Sequence, residues 1–163
     1  MMKKLHTLSL AAATVLLASC GGDSDDNLPP AARDANYRVE ADTTLMEQLK
    51  GFDGNGDELT YSLASEVDVG ELSVSPDGSF NYTPPMEYTG TAMFSYSVSD
   101  GEFSDTGDVM ITVEAKTVST AAYVRDAFNQ DERAQPLSVN GREFTDDVAN
   151  TAEFADLVSE GQQ

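Results

Sequence analysis

"SVSPDGSFNYTPPMEYTGTAMFSYSVSDGEFSDTGDVMITV", residues 73–113, decides the fold. Its apolar residues recur every second position. Phe80 alternates with Tyr82, Phe94 with Tyr96 and Val98 across three serines, and Val109 with Ile111 and Val113. Successive side chains of a strand face opposite sides, so this period belongs to half-buried strands, chiefly those of antiparallel sheets. The punctuation agrees. Pro76 presets φ for the first turn position and Gly78 can take the left-handed one, which predicts a tight hairpin. "TPPMEYTG" and "SDGEFSD" break the chain again at short intervals.

Upstream, Leu59, Tyr61 and Leu63 alternate with Glu58, Thr60 and Ser62, and Leu72 alternates with Val74. About six or seven short strands between residues 37 and 115 predict a mainly β fold, a single antiparallel two-sheet sandwich. "LMEQL" departs from the pattern, because Leu45 and Leu49 share a face with Glu47. Either a bulge lies there, or an edge position lets Glu47 reach solvent.

Residues 116–163 change character and predict a short α-helical C-terminal tail. Ala121, Val124 and Phe128 fall at helical spacing. Asn150 with Glu153 three residues on has the arrangement of a capping box, and Phe154, Leu157 and Val158 then form one narrow apolar face. Between them "LSVNGREF" predicts a small hairpin about Asn140-Gly141. Short amphipathic helices do not form a core alone. Phe128, Phe154, Leu157 and Val158 therefore pack on the sandwich or dock a partner.

At the other end, "MMKKLHTLSLAAATVLLASC" has Lys3 and Lys4, an apolar run from Leu8 to Ala18, then Ser19-Cys20. The run is shorter than the roughly 20 residues that cross a bilayer. It reads as a secretory signal over residues 1–19. "LASC" resembles the bacterial lipobox, which implies cleavage before Cys20, lipidation of its sulfur and acylation of the new amine. Several acyl chains anchor stably where one is marginal, giving a membrane attachment through an N-terminal lipid. Gly21 after the cysteine, rather than the Asp that retains enterobacterial lipoproteins in the inner membrane, favours the outer membrane. Residues 20–36, rich in Gly, Asp and Pro, read as the lipidated Cys and a flexible linker spanning roughly 20–25 Å.

Charge and composition set the limits. Nine Lys and Arg against 29 Asp and Glu give a formal net charge of −20. That surface repels phosphate backbones, so nucleic acid is not a partner, while cations including calcium are attracted. Loss of residues 1–19 would remove the single histidine, His6, and leave seven basic residues against 29 acids, a charge of −22. Imidazole-dependent catalysis and His or Cys zinc sites then fall away. Only carboxylate, lysine, hydroxyl or tyrosine chemistry stays open, and no acid pair stands out for a glycosidase.

"DGNGDELTYSL" joined to "GELSVSPDGSFNYTPPMEYTGTAMFSYSVSDGEFSDTGDVMITV" resembles the bacterial cadherin-like, immunoglobulin-like repeat over about residues 28–115. The resemblance implies a β-sandwich used for adhesion, spacing or ligand presentation, often with calcium at repeat junctions. It implies no catalysis. A protein or glycan partner is expected, with an accessory subunit docked through the tail as the alternative. Asp53, Asn55 and Asp57 fit the first oxygen positions of an EF-hand-type loop, but Glu58 and Ala64 break the rest of that pattern. The loop therefore reads first as a turn with Gly54 and Gly56 at positive φ and side chains bonding their own backbone. The second reading is a weak calcium site completed by Asp100, with Glu40, Asp42 or Glu102 as possible helpers. No other cofactor is required.

Overall fold

The computed structural model describes residues 26–149, 151–155 and 157. Its strands are β1 (Ala31–Ala32), β2 (Ala35–Glu40), β3 (Leu45–Gln48), β4 (Gly51–Phe52), β5 (Thr60–Ser65), β6 (Glu71–Val74), β7 (Ser79–Thr83), β8 (Gly90–Ser99) and β9 (Ser104–Glu114). One sheet has the order β2-β9-β8-β5 and faces a second of order β3-β7-β6, with β1 and β4 paired at one end. The alternating residues meet between the sheets. Leu45, Leu49, Phe80 and Tyr82 pack on Phe94, Tyr96, Val98, Val109, Ile111 and Val113, all buried. Phe80 crosses from one sheet to the other, its ring edge-on to Phe94 at 5.5 Å and to Tyr37 at 5.4 Å. Such pairs add about 0.5–1.5 kcal/mol each beyond their buried area.

The hairpin after Pro76 forms as its residues dictate. The Gly78 N–H donates to the Ser75 carbonyl at 2.9 Å, Gly78 has φ +86°, and the Asp77 carboxylate accepts the Ser79 N–H at 2.9 Å. In "LMEQL" the pairing of β3 with β7 runs without a bulge. β3 is an edge strand, and that position lets Glu47 reach solvent while Leu45 and Leu49 stay buried.

Three sequence expectations are corrected. The sheets are not purely antiparallel, because β2 pairs in parallel with β9, Ala35 beside Val109 through Glu40 beside Glu114. Strands so far apart in sequence are not constrained by a hairpin connection. The ordered domain also begins before residue 37, with β1 at Ala31 and bonded contacts from residue 26 onward. In the tail, "LSVNGREF" is no hairpin. There β10 (Lys116–Ser119) and β11 (Arg142–Thr145) pair in parallel, joined through α1 (Thr120–Phe128). Gly141, at φ +65°, aims its carbonyl at the Lys116 N–H, 2.8 Å away, and this starts β11 alongside β10.

The tail packs largely on itself. Tyr123 meets Phe144 edge-on at 4.9 Å and donates its hydroxyl proton to the Leu137 carbonyl at 2.7 Å. Of the expected second helix, the described residues show a 3-10 turn at Thr151–Phe154 and helical residues 155 and 157. Asn150, Val158, Cys20 and the signal-like segment lie outside the described residues. Among the described residues no helix is long and apolar enough to cross a membrane.

Candidate ligand site at the N-terminal end

The loop after β4 is organised by one carboxylate. Asp53 Oδ1 accepts the N–H groups of Asn55, Gly56 and Asp57 at 2.8, 2.9 and 3.1 Å. Gly56 takes φ +85°, whereas Gly54 keeps an ordinary φ and instead lies against Leu28. The turn is therefore present. Its centre, however, is buried. Asp53 is 7% exposed, and its Oδ2 has no hydrogen-bond partner.

The first described residues wrap this loop. The Leu28 N–H donates to Asn55 Oδ1 at 2.9 Å. Beside it, Asn27 Nδ2 donates to Asp100 Oδ2 at 3.0 Å and to Glu102 Oε2 at 3.3 Å, leaving Asn27 Oδ1 buried without a partner. Asp100 Oδ1 in turn accepts the Glu102 and Phe103 N–H groups at 2.8 and 2.6 Å. The Phe103 N–H, then the Glu102 N–H and the Asn27 amide, hold the Asp100 carboxyl below its usual pKa.

Asn27, Asp53, Asn55 and Asp100 thus come to one end of the sandwich, with Glu102 alongside. Asp57 is at the loop's exposed rim. The other suggested helpers lie elsewhere. Ala41 bonds Glu114 at the far end of β9, and Asp42 accepts the Glu87 N–H at 2.7 Å. At roughly 3.3 Å per residue, β9 separates the two ends by about 33 Å. Asn27 was not singled out in the sequence, where it sat inside an apparent linker. Its signal was the Pro29-Pro30 pair immediately after, which favours an extended path back onto the sheet.

Two orphaned, buried oxygens, Asp53 Oδ2 and Asn27 Oδ1, are hard donors of the kind calcium takes at 2.3–2.6 Å. Among the described residues no three carboxylates converge as a metal cage. A cation here would have to draw its remaining positions from amide oxygen and water, which fits weak binding only.

The residues expected to dock a partner are divided by the fold. Phe128 is 62% exposed, Phe154 is half-buried beneath the Arg125 guanidinium at 5.6 Å, and Leu157 is 9% exposed.

The bacterial cadherin-like domain family matches residues 27–115, the whole of the sandwich and the Asn27 segment. The chain belongs to that family, a class of domain that points to non-enzymatic adhesion or binding. Among solved structures it is similar to human protocadherin-24 EC1-2, at 18% identity and a TM-score of 0.44, over 57% of this chain and 52% of that one. It is also similar to the endo-fucoidan hydrolase MfFcnA9 of glycoside hydrolase family 107, at 23% identity and a TM-score of 0.40, over 56% of this chain and 16% of that one. A putative α-galactosidase from Bacteroides fragilis matches at 10% identity and a TM-score of 0.42, over 61% of this chain and 24% of that one. The chain thus spans about half of the protocadherin fragment and small parts of the two enzymes. No curated protein matches it.

Proposed function

We propose that this protein is an envelope lipoprotein, acylated at Cys20 and held at the outer membrane, whose cadherin-like domain binds a protein or glycan partner without catalysis. Calcium steadies the end of the domain that faces the tether. The observation that carries this reading is the Asp53 carboxylate oxygen, buried without a partner where the chain departs towards Cys20. When bound, calcium supplies charge compensation there; Asp53, Asn27 and Asp100 hold it, and Asn55 keeps residue 28 against the loop. Catalysis finds little support. The sandwich has clefts of about 190 and 200 Å³, each lined by one carboxylate, Glu66 or Glu71. Substrate pockets run to roughly 300–1,000 Å³, and glycoside hydrolysis uses a facing pair of acids.

Calcium binding is tested by thermal unfolding. A site of millimolar class stabilises the native state by about 1–1.5 kcal/mol near 10 mM calcium. Magnesium does less, since it demands tighter octahedral geometry. Asp53→Asn should remove most of the calcium gain. An equal gain in that variant would mean general charge screening, and no gain in wild type would remove the site. The accessory-subunit reading rests on the exposure of Phe128 and Val139 on the tail. Capture of a partner by the full chain, lost on tail removal, would favour it.

A further inference from the structure

The outer edge of β6 lies beside a cleft of the sandwich. β6 pairs only with β7, and its residues Glu71–Val74 form the outer edge of their sheet. Natural proteins blunt such edges with bulges, prolines or inward charges. The neighbouring edge strand β5 does so, its register shifting between Leu63 and Ser65. β6 has neither bulge nor proline; like the edge strand β3 it is four residues long, and Glu71 is the charge it carries. Between the two edges runs the cleft of about 190 Å³, lined by Leu63, Glu66, Val67, Gly70 and Leu72. Val67 and Leu72 pack on the core and give the cleft an apolar part within a mostly polar lining.

Beneath it is a second unfilled group. The Tyr82 hydroxyl is buried with no partner, 3.1 Å from where a Cβ on Gly70 would stand. Burial, then Tyr88 and Asp68, push its pKa up to about 12, so it remains a donor. The charge around the cleft has one sign. Residues 51–115 contain thirteen acids and no Lys, Arg or His, with Glu66, Asp68 and Glu71 bordering this edge.

We propose that the free edge of β6 and the Leu63–Val67–Leu72 cleft take an extended, cationic peptide segment of a partner protein as an added strand. This deepens the binding-module reading and rests on it. Main-chain bonds to an open edge supply affinity, and side chains at alternate positions supply selectivity. The cleft has room for one apolar side chain, and lysines or arginines on either side meet Glu66 and Glu71. Like charges across the contact disfavour a second copy of this chain.

The probe is an end-capped heptapeptide alternating lysine and leucine, added to the full chain and read by fluorescence anisotropy and amide hydrogen exchange. Exchange should slow at residues 71–74 and not on β2 or β3. Glu66→Lys with Glu71→Lys should weaken binding by about tenfold or more. Leu63→Ser, at a side chain 39% exposed, should weaken it when both proteins are compared well below the variant's own unfolding temperature. The same peptide N-methylated at every amide keeps its side chains and charge but cannot pair, and should not bind. Equal binding of the methylated peptide would overturn the proposal, as would protection spread over the acidic surface. So would protection at 71–74 that rises with protein concentration alone, the mark of a second copy, or that a cationic oligosaccharide reproduces. If these arms fail while native partners still co-purify with the chain, the binding-module reading stands and only the β6 site falls.

Discussion

Tyr96→Phe removes one oxygen from the point where the N-terminal segment enters the fold. The Tyr96 side chain is fully buried. Its hydroxyl lies 2.6 Å from the Lys50 carbonyl and 2.8 Å from the Arg33 carbonyl, and it accepts the Arg33 N–H at 2.9 Å. One hydroxyl has one proton, so it donates to one carbonyl at a time. After substitution, Arg33 N–H and Lys50 C=O keep each other at 3.1 Å. The Arg33 carbonyl loses its partner. A neutral hydrogen bond nets about 0.5–1.5 kcal/mol, and an unsatisfied buried group costs about 1–3 kcal/mol. Arg33 is itself exposed, so water relieves part of the cost, and a loss of about 1–2 kcal/mol is expected. For a domain of this size that lowers Tm by about 4–16 °C. The ring still packs on Gly107 and Tyr61, so the loss belongs to the hydroxyl. Urea unfolding gives the magnitude, and hydrogen exchange should speed up at residues 31–33 and 50–52 first. Unchanged stability together with unchanged exchange there would refute the clamp.

Cys20→Ser should move the protein from the membrane fraction to the soluble one; retention after a high-salt wash would mean that another element anchors it. Acid should weaken the end of the sandwich that holds Asp53 and Asp100. Asp100 has a folded pKa lowered first by the Phe103 N–H, so its contribution is complete above the ordinary value of 3.8 and is lost as pH falls below it. In an acid titration the stability lead of wild type over Asp100→Ala should therefore close below that pH, and a lead that persists would mean Asp100 acts otherwise. Truncation after Lys116 should cost less than about 1 kcal/mol, because every residue of the core cluster lies between Ala41 and Val113. Burial of Phe154 and Leu157 on the sandwich would instead cost about 1.5–3 kcal/mol each, which denaturation would register.

The sandwich was legible because a two-residue period leaves each strand only one way to turn its apolar face inward. Phe80, Tyr82, Phe94 and Val109 are buried for that reason alone. The hairpin at Pro76 was legible because turn chemistry is local. Parallel pairing of β2 with β9 was not, since no local signal relates Ala35 to Val109. The tail failed similarly. Asn140-Gly141 does make a turn, but the contact that directs it is a distant one, the Lys116 N–H. At the tether end, Asp53, Asn55 and Asp100 could be named from their loops. Asn27 could not, because an amide beside prolines in a polar segment looks like linker until the sheet it returns to is known.

The two ends of β9 divide the molecule's tasks. Near Ser104 the strand meets the Asp53–Asn27–Asp100 cluster and the segment that leads back to Cys20; Asp105 accepts the Ala32 N–H at 2.9 Å. Near Glu114 it passes into the tail, where Gly141 sits so close to Glu87 that a Cβ would come within 2.8 Å of its carbonyl oxygen. Glu87 is in turn held at φ +61° by the Asp42 carboxylate. That Gly141–Glu87 contact fixes the tail at the end remote from the tether. On the lipid-anchored reading, the tail stands about 33 Å farther from the anchored end than the Asp53–Asn27–Asp100 cluster does. The β6 edge, on the flank between them, is reached by a partner approaching from the side. On the proposed reading, calcium at one end would govern how firmly the domain is held, and a partner would meet the flank or the tail.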